Sequence, residues 1–410
     1  MTTKNNIPTE YKDSAVGVIP QEWEVTTLGK LVSITSGESP SLYNLQSSGK
    51  YPYVKVEDMN NCEKYQVFSR EYSDDEKGAI PKGSIIFPKR GAAIINNKVR
   101  IADCALYMDS NMMAITPNEY VCGDYLYFKI TFEKLYKIAD TSTIPQINNK
   151  HIIPYKLAVP PIGEQRKIAK ILGVWDEAIE KQSQLIERLE VRKRALMQRL
   201  LTGRTRLSGF TTPWQKIKLG EICKRVTRRN EENCQNVMTI SAQRGFVSQT
   251  DFFNKSVASF TLDNYYLVHK DEFCYNKSYS NGYPMGAIKR LKEAEKAVVT
   301  TLYICFSIAD CKRLDIDFFE QYCEFGGLNR GLTKVANEGG RAHGLLNVTP
   351  SDFFGLQLLL PSLSEQKAIA EVLTAADNEI ATHRKKLDAL RLQKRGLMQQ
   401  LLTGKTRVKI

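Results

Sequence analysis

Residues 160–206 read PPIGEQRKIAKILGVWDEAIEKQSQLIERLEVRKRALMQRLLTGRTR, and residues 361–407 repeat the pattern as PSLSEQKAIAEVLTAADNEIATHRKKLDALRLQKRGLMQQLLTGKTR. Glu164 corresponds to Glu365, and the same offset of 201 positions holds along both copies, so they align without a gap. An internal repeat of this length indicates one structural frame that the chain uses twice.

Each copy is predicted to form one long helix. A proline precedes the helix, where its missing N–H costs little. In the second copy Ser362 or Ser364 can serve as the N-cap, whereas the first copy offers no equally clear one. Leu-Thr-Gly closes both helices, with Gly203 and Gly404 supplying the left-handed exit. Residues 164–201 would span about 57 Å at the rise of an α-helix.

The apolar positions of both copies follow the four-three spacing of a coiled-coil seam. A lone helix would leave this stripe in water, so the natural partner of each copy is the other one. The spacing itself does not distinguish parallel from antiparallel pairing. The seam positions are Ile168, Leu172, Trp175, Ile179, Gln182, Ile186, Leu189, Lys193, Leu196 and Leu200 in the first copy, and Ile369, Leu373, Ala376, Ile380, His383, Leu387, Leu390, Lys394, Leu397 and Leu401 in the second.

Two seam positions are polar near the middle of the helices. Gln182 and His383 are equivalent in the repeat. They would meet if the helices run antiparallel, and the alternative is that both face solvent at a loosened turn. Apolar residues beside the seam could dock a partner's helices or could only widen the intramolecular seam; they are Ile171, Leu185, Met197 and Met398.

The composition favours a basic, intracellular protein of two or three domains. The chain has 410 residues, with 58 basic and 45 acidic side chains and a net charge of +13. This excess fits a polyanionic partner, with nucleic acid first, although a merely basic soluble protein is the alternative. Nine scattered cysteines without a C-x-x-C spacing suggest neither a zinc site nor a disulfide framework, and they fit a reducing cytoplasm. The sequence shows no signal peptide and no membrane span.

The repeat also includes the regions that precede the helices. Trp23 is followed by Leu28, and Trp214 is followed by Leu219 at the same spacing. Both regions contain short strand-like runs separated by glycine, proline and asparagine, then a helical segment, then a short strand leading into the long helix. The predicted class is α+β, and the predicted divisions are residues 1–159 (a polar arm to 19, then a globular domain), 160–206 (helix), 207–360 (globular domain) and 361–410 (helix).

This combination resembles the specificity subunit of Type I restriction–modification enzymes. The features that carry the resemblance are a globular region ending in P-P-x-x-E-Q-x-x-I-A, with serine in place of the second proline in the second copy, then a long helix ending in L-L-T-G. Both features are present twice between about Pro20 and Arg407. The resemblance implies two target recognition domains, each reading one half of a bipartite site in double-stranded DNA. It implies that the helices pack antiparallel as a spacer and dock the methyltransferase (modification) subunits. It also implies a restriction and translocase partner.

No catalytic motif accompanies this frame. The sequence has no [ND]-P-P-[FYW] methylation loop and no G-x-x-x-x-G-K-[ST] phosphate loop. A formal nuclease-like triplet at 365–367 belongs to the repeated frame, and the four histidines suggest no nucleophile triad or metal site. We therefore expect a non-catalytic subunit without a cofactor, and the resemblance implies that partner subunits carry S-adenosylmethionine and ATP. The alternatives are a protein-binding scaffold and a specificity chain for a methyltransferase that lacks a nuclease partner.

Base reading requires Arg, Lys, Asn and Gln on exposed loops, and phosphate binding requires Lys and Arg. We expect DNA contacts from two loops in each domain, with Arg90 and Lys277 in register when the preceding strands are aligned. For any one residue, a solvated surface position is the alternative. The candidates are Lys89, Arg90, Asn96, Asn97, Lys98, Arg100, Ser142, Thr143 and Gln146 in the first domain, and Gln243, Arg244, Asn276, Lys277, Ser278, Tyr279, Asn281, Arg341 and His343 in the second.

Overall fold

The computed structural model describes residues 8–75, 78–249, 262–336 and 346–408. The chain divides into two compact units. Unit 1 comprises residues 1–183 and 386–410, and unit 2 comprises residues 184–385. Each unit therefore contains one globular part, the beginning of one long helix and the end of the other.

The secondary structure of unit 1 consists of short strands with a few helices. The strands are β1 (Tyr11–Lys12), β2 (Ile19–Pro20), β3 (Glu24–Thr27), β4 (Val32–Ser36), β5 (Tyr51–Val54), β6 (Tyr65–Gln66), β7 (Tyr72–Ser73), β8 (Ile85–Pro88), β9 (Arg100–Ala102), β10 (Tyr107–Met108), β11 (Met112–Pro117) and β12 (Lys156–Val159). The α-helices are α1 (Ala92–Ile95), α2 (Gly123–Glu133), α3 (Asn149–Ile152) and α4, the first long helix (Ile162–Leu200). Short 3₁₀ turns cover Leu28–Lys30, Pro40–Leu42, Asp58–Asn61 and Leu135–Lys137.

Unit 2 follows the same plan. Its strands are β13 (Gln215–Lys218), β14 (Cys223–Val226), β15 (Met238–Ser241), β16 (Gly245–Ser248), β17 (Tyr266–His269), β18 (Phe273–Asn276), β19 (Ala287–Arg290), β20 (Lys296–Val299), β21 (Ile304–Ile308) and β22 (Gln357–Leu360). Its helices are α5 (Leu219–Ile222), α6 (Ile316–Glu324), α7 (Asn329–Val335), α8 (Pro350–Phe354) and α9, the second long helix (Leu363–Leu402).

The central sheets of the two units share the order of four strands, and unit 1 adds β6 at one edge. The order is β4-β11-β8-β9-β6 in unit 1 and β14-β21-β18-β19 in unit 2. In each unit the strand before the long helix pairs antiparallel with the strand that follows the tryptophan, β12 with β3 and β22 with β13. This confirms the predicted duplication of the globular frame and the α+β class.

Each central sheet is buried on both faces. In β8, Ile85 and Phe87 point into the core shared with the ends of the long helices, while Ile86 points into a second core. In β18, Phe273 and Tyr275 face the helix-side core, and Cys274 faces the other. This alternation is the period of two expected of a strand, and it places the sheet as a middle layer.

The helical predictions hold with small changes at the ends. Ser362 is the N-cap of α9, since its Oγ accepts the Glu365 N–H at 3.4 Å. Gly203 and Gly404 have φ of +69° and +74°, the left-handed conformation that glycine adopts without strain. The helical segment predicted before the exit strand of the first globular region is α2, which ends where Lys134 takes a positive φ of 70°.

Part of the predicted polar arm forms a strand pair that packs on unit 1. Residues 11–12 pair antiparallel with residues 19–20. The Tyr11 hydroxyl donates to the Gly404 carbonyl at 3.2 Å, and Ile19 is buried in the core of unit 1. The arm is therefore part of unit 1 from β1 onward.

A buried ion pair joins the start of one long helix to the end of the other in each unit. In unit 1, Arg407 donates from Nε and Nη2 to the Glu164 carboxylate at 2.8 and 2.9 Å. In unit 2, Arg206 donates from the same atoms to Glu365 at 2.5 and 2.6 Å. Both glutamates are fully buried. Because each glutamate begins one helix and each arginine follows the end of the other, the helix ends pack antiparallel within each unit.

The glutamine that follows each glutamate connects the long helix to the globular part. Gln165 accepts the Cys122 N–H at 2.8 Å and donates to the Pro160 carbonyl at 2.9 Å. Gln366 accepts the Asp315 N–H at 2.8 Å and donates to the Pro361 carbonyl at 3.0 Å. The repeated Glu-Gln pair is thus explained by two buried polar connections, which must be satisfied because burying an unpaired polar group is costly.

The predicted seam is shielded from solvent along both long helices. Every seam position is buried or half-buried, including the polar Gln182 and His383. The alternative that these two residues face solvent is therefore not supported, and their mutual contact stays a prediction. Met197 and Met398 are buried in the cores of their own units, so neither is exposed to a partner. Ile171 is half-buried, and Leu185 is 38% exposed.

Candidate nucleic-acid interface

The two candidate loops of unit 1 lie side by side. The Ile147 N–H donates to the Lys89 carbonyl, and the Gly91 N–H donates to the Pro145 carbonyl, both at 2.9 Å. Arg90 and Gln146 are partners in an isolated antiparallel bridge. The segment after β8 and the segment before β12 therefore form one surface, as a shared DNA contact would require.

In unit 2 an equivalent bond joins the loop after β18 to Leu346. The Leu346 N–H donates to the Lys277 carbonyl at 3.0 Å. Lys277 follows β18, which occupies the place of β8, and Leu346 directly follows the loop that contains Arg341 and His343. Those two predicted contact residues lie outside the residues that the structure describes.

The predicted register of Arg90 with Lys277 is wrong by one residue. Ile85 and Phe273 both face the helix-side core, so the strands align with an offset of 188 positions. A slip of one residue would turn each side chain to the opposite face of the sheet. Lys277 is therefore equivalent to Lys89, whose carbonyl accepts the matching bond, and Arg90 is equivalent to Ser278.

The cationic side chains of the unit 1 surface differ in exposure. Arg90 is exposed, and Lys89 is half-buried. The pKa of Lys89 is lowered, first by its burial and then by the positive charge of Arg90. An anion placed between them would offset this repulsion, so the electrostatics of the pair favour a phosphate or a base acceptor.

The second loop of unit 1 is held by its own acidic residue. Asp140 accepts the backbone N–H and the hydroxyl of Ser142 at 3.0 and 2.7 Å. These bonds lower the pKa of Asp140. Thr143 is exposed at the tip, and Gln146 is half-buried beside Arg90. The tip can thus face a ligand while its base is fixed.

Two predicted contact residues of unit 1 have structural partners instead. Asn97, at a positive φ of 52°, donates to the Thr131 carbonyl at 2.9 Å and accepts the Leu135 N–H at 2.8 Å. The Arg100 guanidinium donates to three backbone carbonyls at 2.8–2.9 Å. Their polar atoms are occupied within the fold, which argues against base reading by either. Asn96, directly before Asn97, is exposed, and Lys98, directly after it, is half-buried.

The loop after β18 is anchored by its first residue. Asn276 donates to the Ile240 carbonyl at 3.3 Å and accepts the Ser278 N–H at 3.0 Å. The first of these bonds ties the loop to β15, which leads into the turn that carries Gln243 and Arg244. Both of those residues are exposed.

The outer part of the same loop remains available to a ligand. Tyr279 is 66% exposed, and Asn281 is exposed beside it. Lys277 and Ser278 are half-buried. An exposed tyrosine next to amide and cationic groups provides both a stacking surface and hydrogen-bond donors, which are the means by which proteins contact nucleic acid.

Sequence reasoning missed the function of the charged residues at the helix ends. Arg206 and Arg407 occupy the same repeat position, as do Glu164 and Glu365. The presence of this glutamate and this arginine in both copies was the signal that could have identified the ion pair. It was not recognised because the partners belong to different copies and lie 159 and 243 positions apart.

Within the described residues, no group of His, Cys, Asp and Glu side chains could hold a metal ion. No helix in the same part of the chain is long and apolar enough to cross a membrane.

Comparison with known proteins places this geometry in a family. A family model described as the Type I restriction modification DNA specificity domain matches residues 20–191 and 212–392. The chain is 26% identical to the putative type I restriction enzyme MjaX specificity subunit of Methanocaldococcus jannaschii, over 97% of each chain.

Two solved structures share the fold. The S subunit of a Type I restriction–modification system from M. genitalium matches with a TM-score of 0.54 and 18% identity, over 98% of both chains. A chain from a structural study of complex assembly and conformational transition in the type I system matches with a TM-score of 0.57 and 14% identity, over 95% of this chain and 99% of the other.

The duplicated frame with paired loops is that of a DNA-recognition subunit, not of a catalytic one. The chain belongs to the family of Type I restriction–modification specificity subunits, since the family model covers most of its length in two copies.

Proposed function

We propose that each unit reads one half of a bipartite target in double-stranded DNA through its pair of joined loops. The observation that carries this proposal is the matching bond from Ile147 to Lys89 in unit 1 and from Leu346 to Lys277 in unit 2. The same backbone bond is present on each frame, although the loop sequences differ. Different side chains on the same platform would read different bases.

We propose that the antiparallel helices set the gap between the two half-sites. The helices contain 39 and 40 residues, or about 60 Å each. Half-sites read from one face of the duplex lie about 34 Å apart or at a multiple of that distance. The clamps between Arg407 and Glu164 and between Arg206 and Glu365 support this role because they fix the register of the helix ends in each unit.

We also propose that the long helices dock the modification subunits. Val191 and Leu392 are equivalent positions of the repeat, and they are 57% and 67% exposed. Large apolar side chains exposed at matched positions on two charged helices are suited to contact with a partner protein. In this proposal the partner subunits carry S-adenosylmethionine and ATP, a restriction subunit joins the complex, and this chain carries no cofactor.

Alanine substitution at the matched lysines tests the reading proposal. The complex of this chain with its modification subunits would be prepared with Lys89→Ala or Lys277→Ala, and methylated sites would be mapped on random DNA. Each variant should relax one half of the target only. Loss of a base contact costs about 1–3 kcal/mol, or about 5- to 150-fold in preference at one position. Lys270→Ala is the matched control, since Lys270 is an exposed lysine of unit 2 that pairs with Glu295.

The same preparations distinguish DNA reading from a protein scaffold. Binding through several phosphates should weaken steeply as salt rises, whereas a scaffold without DNA contact would show no such slope. If both lysine variants keep the full preference of both half-sites, the assignment of the loops is incorrect.

A further inference from the structure

Asp377 on the second long helix connects three elements of unit 2. One carboxylate oxygen accepts from Lys193 Nζ at 2.6 Å, and Lys193 lies on the first long helix. The other oxygen accepts from Gln321 Nε2 at 2.7 Å, and Gln321 lies on α6 of the globular part. A single side chain thus joins the helix pair to itself and to the domain that it carries.

Asp176 is the repeat equivalent of Asp377 and has an analogous position in unit 1. Its carboxylate forms an ion pair with Lys394 of the second long helix. The other oxygen lies 3.8 Å from Lys64 Nζ, in the segment that leads into β6 of the globular part. The Phe128 ring of α2 lies near both lysines, with Lys64 Nζ at 4.7 Å and Lys394 Nζ at 5.2 Å from its centroid.

Each aspartate contacts one lysine of the other long helix and one residue of the globular part. The lysines correspond in the repeat, whereas the residues of the globular parts do not. Lys193 and Lys394 are equivalent residues of the repeated frame. Gln321 and Lys64 are unrelated in type and in position. Gln321 is buried and donates a hydrogen bond to Asp377, whereas Lys64 is half-buried and forms a longer ion pair with Asp176. Two globular parts of different content have therefore each supplied a partner for the same carboxylate.

The directional character of these bonds distinguishes them from the apolar core. Burial of Ile369 and Leu373 holds the globular part of unit 2 against the helices, but hydrophobic contacts are non-directional. The Asp377 carboxylate, whose two oxygens accept from donors on two elements, fixes an angle as well as a distance. Burial lowers the pKa of Lys64, but its hydrogen bonds to Tyr65 and Asp124 and the charge of Asp124 raise it overall, so Lys64 is charged at neutral pH.

We propose that Asp176 and Asp377 are positioning residues that hold each reading domain at a fixed angle on the helix pair and thereby restrict the gap length of the DNA target. This inference rests on the proposed function. One additional base pair in the gap turns a half-site by about 34–36° and moves it by about 3.4 Å. A reading domain that can rotate would accept such a site, and a fixed one would not.

The test measures methylation of a DNA library in which both half-sites are constant and the gap varies by one or two base pairs. The complex with modification subunits would carry Asp377→Ala or Gln321→Ala. The ratio of methylation at a gap changed by one base pair to that at the native gap should rise about 5-fold or more in both variants, the size of effect expected when a hydrogen bond of about 1 kcal/mol is lost. Asp176→Ala should act in the same direction from unit 1.

Glu190→Gln is the matched control. Glu190 on the first long helix pairs with Arg384 on the second at 2.6 Å, and that contact includes no residue of the globular part. Its loss should leave the gap ratio unchanged. An equal rise in this control would show that softening of the helices, not the angle of the domain, controls the gap, and it would overturn the inference.

Base preference within each half-site is read from a second library in the same experiment. If the wild-type protein shows a two-part target and Asp377→Ala leaves the gap ratio unchanged, this inference fails and the proposed function stands. If the wild-type protein shows no two-part target, both fail. Relaxed gap choice with unchanged base preference is the result that supports a positioning role, because simple loss of stability would reduce methylation at all gaps alike.

Discussion

Replacement of Glu164 by glutamine should loosen the helix ends of unit 1 and leave unit 2 unchanged. The Glu164 carboxylate is fully buried. It accepts from Trp23 Nε1 at 3.1 Å and from Arg407 Nε and Nη2 at 2.8 and 2.9 Å. Glutamine keeps the volume and one accepting oxygen, but it removes the charge and turns an NH₂ group toward a donor.

The expected loss of free energy in Glu164→Gln depends on how far Arg407 is exposed to water. Removing one member of a buried ion pair costs about 3–5 kcal/mol when the other charge stays buried. The Arg407 side chain is 33% exposed, so water can solvate part of its charge, and one hydrogen bond to the amide oxygen can remain. We therefore expect a loss of about 2 kcal/mol in the free energy of opening this helix end.

Hydrogen exchange measured by mass spectrometry resolves the effect by segment. A loss of about 2 kcal/mol corresponds to about 30-fold faster exchange where local opening governs it. The increase should appear in residues 162–172 and 397–407, while residues 363–373 exchange as before. Glu190→Gln removes an exposed pair worth about 0–1 kcal/mol and is the control. Unchanged exchange in Glu164→Gln, or equal acceleration in both units, would refute the clamp.

Two further predictions concern backbone strain and thiol reactivity. Gly404→Ala should lower the unfolding temperature more than Gly203→Ala, because both require a positive φ but only an added Cβ at 404 would lie 2.5 Å from the Pro20 ring; the strain of the left-handed conformation alone is about 1–2 kcal/mol. With Ellman's reagent at pH 8, the exposed Cys311 should react in the native protein while Cys223 does not, since burial raises the pKa of Cys223 to about 12. Only roughly one in ten thousand of its thiols is then ionised, and fast labelling of Cys223 would contradict its placement in the core.

The frame of this protein was predictable because its signals are repeated and periodic. Seam spacing, the terminal glycines and the shared Trp-to-Leu spacing each appear twice, so each prediction had an internal check. The antiparallel direction was not determined by these signals, because a heptad pattern is the same for either direction. It follows from Arg407 and Arg206, whose partners are far away in the sequence.

The candidate site was predictable only at the level of loops. The loops after β8 and before β12 were identified from composition, and the structure joins them. Individual residues could not be assigned in the same way, because a polar side chain near a loop can equally support the backbone. Asn97 and Arg100 do so, and nothing in their local sequence distinguishes them from Arg90. Alignment of the strands by composition also missed the register, which is determined by the face that each residue buries.

The repeated helices and the loops that differ between the units depend on different interactions, and this has an energetic consequence. The clamp glutamates are buried at the helix ends and their arginine partners are half-buried. The exposed side chains of the candidate loops, such as Arg90 and Tyr279, are instead held through backbone bonds at Lys89 and Lys277. Because those backbone bonds do not depend on the identity of the side chains, loop residues can change with little effect on the clamp, as expected for sites without shared partners. The aspartate ties are the exception, since Gln321 and Lys64 belong to the globular parts but bond to the frame. A change of target bases should therefore be tolerated at most loop positions, whereas a change at either tie should alter the accepted gap.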